Sequence, residues 1–199
     1  MTLRVLVVGI GITILQPFVL PGQTKATCEQ GLTASFQPGG RLRMEIRSGD
    51  IEITGTNAQS VRVSCELKDP EQAKDVSIRF HVDTREGDLR IHGGPNNDVH
   101  LRIEVPKSSN LMVRAPAGDL TVSDVTGDKD IEIHAGDLTI AVGNPADYKH
   151  ADASIWAGDL DASAFGVNKD GLFRSFSKEN SAGKYRLHAH LLAGDLTLK

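Results

Sequence analysis

The side chains that combine chemical capacity with repeated spacing are aspartates. Six of them follow a glycine and precede an aliphatic residue, at Gly49-Asp50-Ile51, Gly87-Asp88-Leu89, Gly118-Asp119-Leu120, Gly136-Asp137-Leu138, Gly158-Asp159-Leu160 and Gly194-Asp195-Leu196. A carboxylate in this setting can accept backbone N–H groups and close a turn whose glycine takes a positive φ. If the turns stack, Asp119, Asp137 and Asp159 line one edge and become candidates for calcium, which relieves like charges about 4.8 Å apart. Calcium takes about six to eight oxygens. The tight calcium nonapeptide G-G-x-G-x-D is absent from the chain. The turn role is therefore the leading reading.

Other chemistry is sparser. His188-x-His190 places two imidazoles on one side of a strand, with His134 and His150 as further ligand candidates. Zinc needs three or four ligands in fixed geometry, and these histidines alternate with the apolar Leu187 and Leu191, so a solvated face is expected. No G-x-S-x-G, H-E-x-x-H or Walker loop occurs. Gly9-Ile10-Gly11 starts a dinucleotide fingerprint, but Ile14 stands where its third glycine belongs. No catalytic residue, cofactor or enzymatic activity is expected. Trp156, the single tryptophan, can stack on a sugar, but its neighbour Ile155 and the turn that follows favour a packing role. Arg41, Arg43, Arg47, Arg62, Arg79 and Arg102 occupy outward positions of alternating segments, together with Glu45 and Glu104, and form a candidate binding face.

The elements that must carry these groups are strands. Leu42, Met44 and Ile46 alternate with Arg41, Arg43, Glu45 and Arg47. The same period of two runs through Val61–Leu67, Val76–Val82, Val99–Val105 and Tyr185–Leu191. The six glycines are separated by 38, 31, 18, 22 and 36 residues, which suggests a unit near 20 residues. An all-β chain forming a single β-solenoid of stacked short strands is the expected fold, with a β-sandwich as the alternative. Only Asp69–Lys74 offers a helical turn, and 166–183 reads as a polar excursion or a degenerate coil.

The 199 residues suit one domain, and a formal net charge of -4 excludes a general nucleic-acid binder. Residues 1–26 read as a secretory signal peptide, with Arg4, an apolar run over Val5–Leu15 and a polar exit at 21–26. The cut is expected near Ala26 or Gly22. The domain then spans 27–199, with no stable transmembrane span after cleavage and a location in the periplasm, at the cell surface or outside the cell. Removing Arg4 and Lys25, and no acid, makes the remainder more negative. In an oxidising compartment Cys28 and Cys65 can pair and tie the N-terminal arm to the body; two buried thiols are the alternative.

The repeated Ser/Ala-Gly-Asp-Leu/Ile turns, the export signal and the closing Gly183–Leu187 and Ala193–Leu196 segments resemble the bacterial putative-adhesin family. The resemblance covers roughly Leu32 to Leu198. It implies an exported, non-enzymatic β-solenoid, and it brings no active-site residues; the outward arginine face adds the expectation of an envelope or surface protein or a glycan as partner. A carbohydrate-active enzyme on a solenoid and a periplasmic scaffold or sensor are the alternatives.

Overall fold

In the computed structural model, residues 22–95 and 98–199 are described. The expected leader therefore lies outside the described residues, except for its last part, 22–26. Among the described residues eighteen strands, numbered in chain order, form two nine-stranded sheets. The front sheet runs β1 (Gly22–Thr27), β6 (Val76–Asp83), β7 (Glu86–Gly93), β3 (Arg41–Ile46), β9 (Asn110–Ala117), β11 (Lys129–Ala135), β17 (Tyr185–Ala193), β13 (Tyr148–Ala157) and β16 (Leu172–Glu179). The back sheet runs β15 (Val167–Lys169), β14 (Leu160–Ala162), β18 (Leu196–Leu198), β12 (Leu138–Ile140), β10 (Leu120–Ser123), β4 (Asp50–Thr56), β8 (Val99–Pro106), β5 (Ser60–Leu67) and β2 (Leu32–Ser35).

The middle of each sheet is parallel and its ends are antiparallel. The parallel part follows from a repeated unit: a front strand, a corner and a back strand. Six such units stack in the order β7–β8, β3–β4, β9–β10, β11–β12, β17–β18, β13–β14. This is the correction to the solenoid expectation. The sheets do not close into a solenoid, and neighbouring units are not always successive in the chain. The unit β3–β4 is flanked by β7–β8 and β9–β10, and the C-terminal unit β17–β18 slots between β11–β12 and β13–β14. Alternation predicts each strand's wet and dry faces, but it carries no information on which strand lies beside which.

The dry faces meet in one core. Met44, Ile53, Ile78, Leu101, Leu120, Ile131 and Leu187 are fully buried, each contributing about 1.5–3 kcal/mol of apolar transfer energy. Phe36 and Phe80 meet edge to face at 6.1 Å near one end. Gly87 lies beneath them inside β7, where a Cβ would come within 2.9 Å of Phe80 and Leu42. Gly87-Asp88 is thus not a turn: the glycine makes room for the aromatic pair, and Asp88 points out to Arg90 at 2.8 Å. The expected helical turn is a 3-10 turn at Pro70–Asp75, capped by Asp69. The excursion over 166–183 forms β15 and β16 and closes the far end through Phe176.

Lys129 is buried in this core. Its Nζ donates to the Tyr148 hydroxyl at 2.6 Å and to the Gly127 carbonyl at 3.2 Å. Burial pushes its pKa down to about 8, against an opposing pull from Asp128. Below pH 8 the fold must bury a cation. From about pH 8 upward the unfolded chain holds a proton that the folded chain has released, so stability rises with pH. Burial raises the Tyr148 pKa, so above about pH 10 tyrosine ionisation in the unfolded chain opposes the gain. Urea unfolding is expected to show about 2 kcal/mol more stability at pH 10 than at pH 8. Lys129→Met should abolish that rise; its persistence would refute the assignment to Lys129.

Candidate functional site

Five corners carry the Gly-Asp pair, and they stack along one edge in the order Asp50, Asp119, Asp137, Asp195, Asp159. The backbone N–H of each following glycine reaches the chain next to it, as Gly136 does to Ala193 O at 3.0 Å. The carboxylates continue the ladder. Asp119 Oδ1 accepts Asp137 N–H at 2.9 Å, Asp137 Oδ1 accepts Asp195 N–H at 3.0 Å, and Asp195 Oδ1 accepts Asp159 N–H at 3.2 Å. The calcium candidates Asp119, Asp137 and Asp159 therefore share an edge, with Asp195 between the latter two. Asp119, Asp137 and Asp195 use their carboxylates to bond one corner to the next, whereas Asp159 joins through its N–H and Asp50 pairs with His100 at 3.0 Å.

The six arginines of the expected binding face are divided between opposite faces. Arg62 and Arg102 stand on the back sheet, paired with Glu104 at 3.5 Å and Glu52 at 3.1 Å. Arg41, Arg43 and Arg79 stand on the front sheet, and Arg47 follows β3 at its end. Sequence position alone hides this division, because outward arginines read alike whichever sheet carries them. Of the front set, Arg41 pairs with Glu86 and Arg43 with Glu45.

An open groove of about 750 Å³ crosses the upper part of the front sheet. Four arginines line it, Arg47, Arg79, Arg90 and Arg114, with Glu45, Glu132, His92 and His134. In-register pairing explains the convergence. Lys25, Arg79, Arg90, Glu45, Arg114 and Glu132 fall in one row across β1, β6, β7, β3, β9 and β11. Arg90 is held by Asp88, whose hydrogen bond raises its pKa, and it lies 3.6 Å from Glu45. Arg114 bridges Asp130 at 2.9 Å and Glu132 at 3.1 Å. Arg47 spends its guanidinium on the carbonyls of Ser48, Gly93 and Pro95, bracing the loop at the groove's end, and partial burial lowers its pKa. Arg79 has no acidic partner among the described residues, and it stands directly opposite Arg90 and Lys25. Cross-strand like charges are unfavourable in a bare sheet. Arg90 and Arg114 were not singled out by sequence; their alternation matches that of their neighbours, and only strand order puts them beside Arg79.

The histidines gather farther along the same face. His188 Nδ1 lies 2.5 Å from Asp152 Oδ2, and His150 sits between Asp152 at 3.0 Å and Glu179 at 2.6 Å. His190 contacts Ser154 at 2.8 Å, while His134 lines the groove. One ligand atom each of Asp130, Glu132 and His188 lie within 4.8 Å of one another. Arg114 already supplies the positive charge between the two carboxylates.

Trp156 is the chief surprise. It is 54% exposed, and its ring stacks on Phe173, itself 71% exposed, with centroids 5.5 Å apart. The packing role expected of Trp156 is taken at the surface, on Phe173: Ile155 holds the inward position, so its neighbour must face out. Phe173 has a φ of +54°, a left-handed backbone that a bulky side chain rarely adopts.

The sequence cysteines are joined. Cys28 and Cys65 form a disulfide with Cα atoms 5.4 Å apart, fastening the segment after β1 to β5. Among the described residues no helix is long and apolar enough to cross a membrane.

Fold and surface together define an all-β, two-sheet protein with a groove lined by four arginines and an exposed aromatic pair. No family model and no curated protein matches the chain. A solved structure from Clostridium sporogenes, described as a "putative cell adhesion protein", shares the fold, with a TM-score of 0.52 and 12% identity over 90% of this chain and 99% of that one. At that identity the likeness is one of fold.

Proposed function

We propose that this protein is an exported, non-enzymatic binding module of adhesin-like type, and that it engages its partner with the outer face of the front sheet. The observation that carries this reading is the groove, in which four arginines converge on a chain of negative net charge. Arginine is enriched at binding surfaces, and a concave site with a few convergent polar groups is the usual form of a ligand site. The disulfide and the apolar N-terminal run support export. The fold shared with the Clostridium sporogenes protein is consistent with a surface role. Signal cleavage at Gly22 keeps β1 whole, whereas a cut after Ala26 removes most of that strand.

The test is saturable binding of the exported protein to isolated cell envelopes, compared with an Arg79→Glu, Arg90→Glu double variant. Each lost charge-assisted contact is worth about 1.5–3 kcal/mol, so a drop in affinity of about 100-fold or more is expected. Undiminished binding by the variant would sink the assignment to this face. Hydrolysis of a polysaccharide by the wild-type protein would favour the enzyme alternative instead.

A further inference from the structure

The geometry points to a carboxylated polysaccharide as the ligand of this face, laid across the strands with its acidic groups on Arg79 and Arg90 and a sugar ring on the Trp156–Phe173 pair. The inference rests on the binding-module reading and adds the ligand's chemistry.

Three independent observations converge. The first is a row of three adjacent cations, in which Arg90 is held by Asp88 and lies 3.6 Å from Glu45. Lys25, Arg79 and Arg90 are consecutive across three antiparallel strands, and Arg79 has no acidic partner among the described residues. Like charges set opposite one another are destabilising until an anion lies over them. A polymer crossing the strands meets these three cations about 4.8 Å apart, then Glu45, Arg114 and Glu132 in the same row.

The second is the aromatic pair. Trp156 and Phe173 are the exposed aromatics of the described surface, and they lie face to face instead of packing inward. A bulky residue held in a left-handed backbone is strained by about 1–2 kcal/mol. Phe173 has that backbone and places its ring beside Trp156 at the surface. Sugar rings present apolar C–H faces that suit such a platform, whereas a chain of acidic peptide gains little from it.

The third is continuity. His134 ends the groove on β11, and only β17 separates β11 from β13, which carries Trp156. Arg79 on β6 and Trp156 on β13 are six strand spacings apart, about 29 Å, a span for an oligosaccharide rather than a monosaccharide. Along the path, His190 and Ser154 offer hydrogen-bonding groups to sugar hydroxyls.

Trp156 is the chain's single tryptophan, so its fluorescence reads the platform directly. Purified full-length exported protein is titrated with polygalacturonate oligomers, neutral amylose oligomers and poly-glutamate at low salt. Polygalacturonate is expected to bind with a change in Trp156 emission, at least 10-fold more tightly than amylose or poly-glutamate. Arg79→Gln should weaken it about 10-fold with the emission change retained at saturation. Phe173→Ala should weaken it by a similar factor and alter the emission change, and unchanged thermal unfolding of both variants would show that the fold persists. Binding of poly-glutamate as tight as polygalacturonate, indifferent to Phe173→Ala, would overturn the glycan inference in favour of simple charge attraction. No polygalacturonate binding, alongside envelope binding that is lost in the Arg79→Glu, Arg90→Glu variant, would also overturn it and leave the binding-module reading standing. Absence of both would remove the two together.

Discussion

Gly194→Ala is expected to destabilise the protein by about 3 to 5 kcal/mol, enough to unfold many domains outright. Gly194 lies between the corners of Gly136 and Gly158 in the stack, at a φ of +132°. A Cβ there would come 1.9 Å from Gly136 O, and the obstacle is backbone that the ladder holds in place. Dihedral cost and collision therefore add. Gly143→Ala separates the two terms. Its φ is +73°, yet nothing lies within 4 Å of the added methyl, so only a left-handed alanine's cost of about 1–2 kcal/mol is expected. Midpoints of urea unfolding measure both. Equal losses at the two sites would show that the close approach of corners contributes nothing.

Cys65→Ser should cost about 4 kcal/mol under oxidising conditions, and reduction of the wild type should cost the same. The bond closes a loop with a sequence separation of 37 residues, and the entropy it removes from the unfolded chain sets that figure. The loss should be local in its early stages. β1 reaches the front sheet only through β6, and β2 reaches the back sheet only through β5, so the arm that bears Cys28 depends on two edge pairings. Hydrogen exchange in the Cys65→Ser protein should speed up first in β1 and β2 and later in β9 or β11. Uniform acceleration across all strands would contradict a local role.

The contrast between what sequence discloses and what it conceals is physical. Alternation is a one-strand property, so β3, β6, β8 and β17 were legible with their buried residues. The corner motif was legible at five sites because a glycine at positive φ with an adjacent carboxylate has one dominant use. At Gly87 the same letters serve another constraint, space beneath Phe36 and Phe80, and no local signal distinguishes the two. Everything that depends on lateral order was hidden. The division of arginines between sheets, the meeting of Arg79 with Arg90 and the reach from His134 to Trp156 all follow from strand neighbours far apart in the chain. The partner of Trp156 is hidden for a related reason. The inward Ile155 implies its outward position, but Phe173, on which it packs, comes from an antiparallel strand that local sequence does not place.

The placement of the C-terminal unit sets the order of events as the chain is made. Strands β13 and β14 touch the rest of their sheets through β17 and β18, apart from their own partners β16 and β15. A chain growing from its N-terminus can add unit to unit as far as β12 and then must stop. Residues 148–179 wait without a template until 185–198 emerge and enter between the two halves like a keystone. Until β17 and β18 enter, the sheets are an arch without its closing stone, so this one unit acts as a built-in licence for assembly.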